Sequence, residues 1–117
     1  MIEKKMVIGD LYAFYGQLLT DNQKNMIELY IYEDYSLGEI SENLKISRQA
    51  IYDSIKRSQK TLQNYEDKLS LIYKYEMHRK ELKEIGKDVE EIRRSLNQKN
   101  SDVLFADIIE RLNKLID

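Results

Sequence analysis

The chain has 117 residues, 42% of them apolar and 34% charged, with a formal net charge of −2. It holds no cysteine and one histidine, His78, which excludes disulfides, thiolate chemistry and a multi-histidine metal site within one chain. The absence of proline and the presence of only four glycines argue against a turn-rich all-β fold.

No apolar run reaches membrane-spanning length, and the start Met-Ile-Glu-Lys-Lys-Met does not read as a secretory signal. These features predict a cytoplasmic, helical protein with no membrane insertion. The charge is unevenly spread. Residues 1–46 carry 4 basic and 8 acidic side chains. Residues 47–65 set Arg48, Lys56, Arg57 and Lys60 against Asp53 alone. Residues 66–117 are nearly balanced, with 11 basic and 12 acidic side chains.

The first predicted helix spans Met6 to Leu19, with Val7, Ile8, Leu11, Phe14, Tyr15 and Leu18 on one apolar stripe. Gly9 and Gly16 each weaken it by roughly 1 kcal/mol relative to alanine, so packing must hold it. Thr20 with Gln23 forms a capping box and opens a second helix over Asp21–Tyr32. Met26, Ile27, Tyr30 and Ile31 are its residues available for burial. Ser36 with Glu39 forms another box and opens a short helix from Leu37 to Leu44. After a tight turn at Lys45-Ile46, Ser47 caps a fourth helix that runs to about Leu62.

Further on, Leu82, Ile85, Val89, Ile92 and Leu96 repeat at a/d heptad spacing, as do Leu62, Tyr65, Leu69 and Ile72 upstream. The two runs join through Tyr75, His78 and Arg79, where the phase slips. The pattern predicts one long helix over about 66–97. A break at Asn97–Asn100 follows, then a last helix capped by Ser101 or Asp102. Its apolar residues are Val103, Leu104, Ile108, Leu112 and Leu115. The domain reading is therefore a four-helix unit over 1–65 and a helical arm over 66–117. A narrow a/d stripe must be covered. Leu69, Ile72, Leu82, Ile85, Val89, Ile92 and Leu96 predict a homodimer, with the last helix contributing.

Ser36 to Lys60 carries the functional signal. A capped short helix, a tight turn and a second capped helix form a helix-turn-helix, with Leu37, Ile40, Ile46, Ile51 and Ile55 holding the pair together and small Ser41 allowing close approach. With Ile51 pointing inward, Ile55, Ser58 and Leu62 lie within about 40° of it. Gln49, Asp53, Lys56 and Lys60 fall about 140–200° away. In this motif the N-terminal end and outward face of the second helix enter the major groove. Arg48 or Gln49 then reads guanine or adenine edges, with Tyr52 flanking that face. Lys56, Arg57 and Lys60 neutralise phosphates, and Ser47 at the helix N-terminus meets another. Asp53 is ambiguous: it accepts from a cytosine amino group or repels phosphate.

Other features carry less. A lone histidine at a coiled-coil slip is a tolerated semi-polar residue more often than a pH sensor. The tyrosines fit packing at the core rim better than stacking on single-stranded bases. Glu81, Glu84, Glu90 and Glu91 fit a solvated flank. No phosphate loop or nucleophile motif is present, so the chain is expected to be non-catalytic and to need no cofactor.

The stretch Leu18-Leu19-Thr20-Asp21-Asn22-Gln23, then Tyr35-Ser36-Leu37-Gly38-Glu39-Ile40-Ser41-Glu42, then Ile46-Ser47-Arg48-Gln49-Ala50-Ile51-Tyr52-Asp53-Ser54-Ile55-Lys56-Arg57 resembles the YlxM family of small bacterial helix-turn-helix proteins. The same region is similar to region 4 of sigma factors. The resemblance covers residues 1–65 and implies a sigma-region-4-like helix-turn-helix bundle; with the heptad pattern beyond it, the expected fold is all-α, that bundle followed by a long coiled-coil-like helix and a C-terminal helix. It also implies binding of double-stranded DNA in a regulatory role. Gene adjacency in the family implies a link to the signal recognition particle pathway; the alternative reading is a non-catalytic adaptor that binds the particle's protein or RNA, with the helix-turn-helix as scaffold. The chain departs from sigma region 4 at Gln49, Ala50, Tyr52 and Asp53, which replace its polar readers. Lys45 stands where the turn often has glycine. The scaffold carries over; promoter-type readout does not.

Overall fold

The computed structural model describes residues 5–96 and 99–116, and the described residues are all-α, in agreement with the expected class. The order is α1 (Lys5–Tyr15), a 3-10 turn (Gly16–Leu18), α2 (Asp21–Ile31), α3 (Leu37–Leu44), α4 (Arg48–Leu69), α5 (Leu71–Ser95) and α6 (Lys99–Ile116). The chain divides into two compact units, one reaching to Ile72 and one starting at Tyr73.

Local chemistry starts three helices of the first unit. Thr20 and Gln23 form a reciprocal capping box on α2, and Ser36 and Glu39 form one on α3. The Ser47 hydroxyl accepts from the Ala50 N–H at the start of α4, 3.1 Å away.

α4 packs against α1, α2 and α3. Ile51, Ile55, Ser58 and Leu62 are its buried stripe, and they meet Ile8, Leu11, Tyr15, Leu19, Ile27 and Ile40 in a single core. Val7, Phe14 and Leu18, expected on the buried stripe of α1, are exposed instead. Ile8, Leu11 and Tyr15 are buried with Tyr12 packed beside them, Val7 and Phe14 lie about 100–120° from Ile8 at the edge of the stripe, and the 3-10 turn over Gly16–Leu18 takes Leu18 off it. Ile46 is also exposed, because the turn directs it outward. The Ser58 Oγ is buried and makes no hydrogen bond among the described residues.

The expected boundary near Leu62 and the expected long helix over 66–97 are both corrected. α4 continues to Leu69, and the break falls at Ser70, in the left-handed conformation with φ 54°. The heptad phase slip near His78 lies inside continuous helix.

Tertiary hydrogen bonds favour the break at Ser70. The buried Tyr15 hydroxyl donates to the Glu66 carboxylate and accepts from the Leu71 N–H at 3.1 Å. The Ile72 N–H donates to the same carboxylate at 3.0 Å. The first amides of α5 thus find partners outside their own helix, which is what a helix start requires. Ile72 packs against the core of this unit.

In the second unit, Gly86 of α5 faces Leu112 of α6, and Arg93 pairs with Asp102 at 3.5 Å, so the two helices run antiparallel. α6 begins at Lys99, which places Asp102 in its first turn and not at the cap. Of the expected break, positions 97 and 98 lie outside the described residues. Leu82, Val89, Phe105, Ile108, Ile109 and Leu112 are half-buried, and Ile116 is buried. Ile85, Ile92, Leu96, Val103, Leu104 and Leu115 are exposed.

Candidate nucleic-acid interface

α3 and α4 are joined by Lys45, Ile46 and Ser47. Lys45 closes α3 in the left-handed region, with φ 58° and ψ 41°, where a non-glycine residue is strained. Ser41 fastens the turn from the α3 side. Its hydroxyl donates to the Ile46 carbonyl, and its own carbonyl accepts from the Ile46 N–H at 3.2 Å. Ile40 of α3 is buried together with Ile51 and Ile55 of α4, so the two helices are docked on one apolar contact. Ser41 does more than the close approach expected of a small residue: it holds the corner through two hydrogen bonds.

With that side committed to the core, the opposite side of α4 is open. Ser47, Arg48, Gln49, Lys56, Arg57 and Lys60 are all exposed, and Tyr52 is half-buried. Gln49, Lys56 and Lys60 share one solvent-facing side with Asp53, while Arg48 lies toward α3 and Arg57 flanks the other edge. Over Ser47–Lys60 the formal charge is positive, with four cations against Asp53.

The side chains on that face are partly organised. The Lys56 ammonium sits 5.6 Å from the centroid of the Tyr52 ring, a cation–π contact. The Gln49 Nε2 donates to the Asp53 Oδ1 at 2.9 Å, one helical turn away. Arg48 lies against the first turn of α3 at Gly38. The roles of Gly38 and of the Gln49–Asp53 pair were not read from the sequence. The i,i+4 spacing of Gln49 and Asp53 was the available signal. The Arg48–Gly38 contact crosses between helices and left none.

The resemblance at the sequence level is matched by comparison with known proteins. A family model described as UPF0122, "Putative helix-turn-helix protein, YlxM / p13 like", matches residues 2–103. The chain belongs to this family. A UPF0122 protein of Geobacillus kaustophilus (strain HTA426) is 52% identical over 79 residues, covering 68% of this chain and 72% of the relative. One from Lactococcus lactis subsp. cremoris (strain MG1363) is 51% identical over 86 residues, covering 74% and 78%. A third, from Geobacillus sp. (strain WCH70), is 43% identical over 115 residues and covers 98% of this chain and 99% of the relative. The similarity to UPF0122 proteins therefore runs through the arm as well as the helix-turn-helix. Among the described residues, no helix of this UPF0122 chain is long and apolar enough to cross a membrane.

Proposed function

We propose that this chain is a non-catalytic, double-stranded DNA-binding regulatory protein. The helix-turn-helix domain of residues 1–65 carries the DNA contacts. α4 enters the major groove by its N-terminal half, with Arg48 and Gln49 at base edges and Tyr52 beside them. Lys56, Arg57 and Lys60 follow the phosphates, and Ser47 at the helix start meets another.

One observation carries the reading. The polar face of α4 from Ser47 to Lys60 is exposed and net positive, while the other face is consumed by the core. Such a face, on a helix held by a fastened turn, suits a polyanion with a groove wide enough for a helix.

The arm of residues 66–117 is assigned to self-association, with Ile85, Ile92 and Leu96 as its exposed apolar seam. A dimer would present two reading helices to two half-sites. The protein would act in the cytoplasm, where its DNA target lies.

Selection of random duplexes by the full chain tests the function. Enrichment of one motif supports it. Lys56→Ala should weaken retardation of all duplexes alike, and its salt slope should fall by about one. If neither Arg48→Ala nor Lys56→Ala alters retardation of any duplex at low salt, the proposal fails.

A second reading, an adaptor of the signal recognition particle pathway that binds its protein or RNA, is favoured by one feature. Asp53 stands exposed on the face that would meet phosphates. Under that reading duplex selection enriches nothing, and structured RNA or a protein partner is retained in its place.

A further inference from the structure

Asp53 is the feature that fits DNA binding least, since a carboxylate on the reading face repels every duplex equally. Its geometry suggests why that cost is tolerated. The Asp53 Oδ1 accepts from the Gln49 Nε2 at 2.9 Å, and both side chains are exposed. A carboxylate at neutral pH only accepts hydrogen bonds, so it must face the amide nitrogen and never the amide oxygen. The two-fold ambiguity of the glutamine amide is thereby removed. The bond to Asp53 uses one amide N–H and leaves the second N–H and the Oε1 of Gln49 available to a ligand. One donor and one acceptor side by side match the N7 and N6 amino group of adenine in the major groove. They do not match guanine, which offers two acceptors there.

We infer that Asp53 is a positioning residue that orients the Gln49 amide to read adenine, giving up duplex affinity for selectivity at one base pair. The inference rests on the DNA-binding reading above. Asp53 contributes no base contact of its own. It lowers affinity for all sequences by its charge and lowers it least for duplexes that place adenine opposite Gln49. Specificity built partly from repulsion in this way is a general device.

α4 supplies an internal control. Gln63 donates to Asp67 at 2.9 Å in the same i,i+4 arrangement, also exposed. Gln63 lies about 21 Å further along the helix axis from Gln49, beyond the end that enters the groove. A pair that merely stabilises the helix behaves identically at both places. A pair that reads a base does so only at the first.

The experiment is selection from random duplexes by the full chain and by Asp53→Asn, Asp53→Glu, Gln49→Ala and Asp67→Ala, with helicity checked for each. The wild type should enrich a motif with one position preferring adenine over guanine by about ten-fold. In Asp53→Asn that preference should fall to roughly two-fold while affinity for unrelated duplexes rises, because asparagine can turn either amide end to Gln49. Gln49→Ala should abolish the preference. Asp53→Glu, which still only accepts, should keep it. Asp67→Ala should leave both preference and motif unchanged.

A wild-type motif whose adenine preference survives Asp53→Asn, or which has no position sensitive to Gln49→Ala, overturns the inference and leaves DNA binding intact. A wild type that enriches no motif removes the DNA-binding reading and this inference with it.

Discussion

The guanidinium of Arg48 lies across Gly38. A Cβ added at residue 38 would stand 2.7 Å from a terminal guanidinium nitrogen and 3.0 Å from the guanidinium carbon. The start of α3 thus forms a bed for an arginine on the first turn of α4. Gly38 has no positive φ, so its small size matters here and not its backbone freedom.

Gly38→Ala should test that bed. The clash is with the far end of a flexible side chain, so the arginine swings aside and the fold survives. Alanine's helix propensity offsets the contact by up to about 1 kcal/mol, so the thermal midpoint should stay level or rise. Duplex affinity should fall, by less than the roughly ten-fold loss expected of Arg48→Ala. The double variant should bind like Arg48→Ala alone, since the first change acts only through the arginine. Additive losses in a titration of all four proteins would show that Gly38 and Arg48 act separately.

Lys45→Gly should stabilise the protein. Lys45 sits at φ 58°, which costs an L-residue roughly 1–2 kcal/mol, while glycine takes that conformation freely. Part of the gain is offset by glycine's larger unfolded-state entropy, leaving a net gain of about 0.5–1 kcal/mol. Urea unfolding should show a higher midpoint with an unchanged slope. A lower midpoint would mean that the lysine side chain contributes something that the conformation alone does not reveal.

Ser58→Ala should also stabilise. Ser58 is 1% exposed, in the stripe that joins α4 to the core, and its hydroxyl has no hydrogen-bond partner among the described residues. An unpaired buried hydroxyl costs about 1–3 kcal/mol, and alanine removes it with little loss of volume. The better helix propensity of alanine adds to the gain. A rise in unfolding free energy of about 1 kcal/mol is expected. A fall would mean that the hydroxyl finds a partner in solution, such as a buried water.

The helix-turn-helix was legible in the sequence because its determinants are local. Thr20–Gln23, Ser36–Glu39 and Ser47 each announce a helix start within four residues, and all three caps form. The inward face of α4 was equally legible, since a 3.6-residue period places Ile51, Ile55, Ser58 and Leu62 together. The unusual turn residue, Lys45, was visible as a lysine where glycine is common; its left-handed backbone is the physical consequence.

The junction at Ser70 was not legible. Heptad spacing runs through it without interruption. The break is bound up with contacts 51 and 56 residues apart in sequence, from Tyr15 to Glu66 and to Leu71. Likewise, periodicity finds the stripe of α1 but cannot say how wide it is. Phe14 lies at the exposed edge of the α1 stripe, and the 3-10 turn over Gly16–Leu18 takes Leu18 off it.

Buried Tyr15 and half-buried Tyr12 predict a loss of stability at high pH. Burial, reinforced by the hydrogen bond to Glu66, raises Tyr15 above its ordinary value of 10.0. Burial and the hydrogen bond to Glu28 push Tyr12 up to about 12. In both cases the folded state holds its proton more tightly than the unfolded chain. The stabilisation is therefore complete below pH 10, where both states are protonated. It is lost as pH rises from there through the raised folded values, because the unfolded chain ionises first.

Tyr15→Phe separates this effect from the background of the other tyrosines. It should be less stable at pH 8 by about 1 kcal/mol, having lost the hydroxyl that bridges Glu66 and the Leu71 amide. Above pH 10 its thermal midpoint should decline less steeply than that of the wild type, so the two curves converge. Parallel curves from pH 8 to pH 11 would show that the Tyr15 proton is not held by the fold.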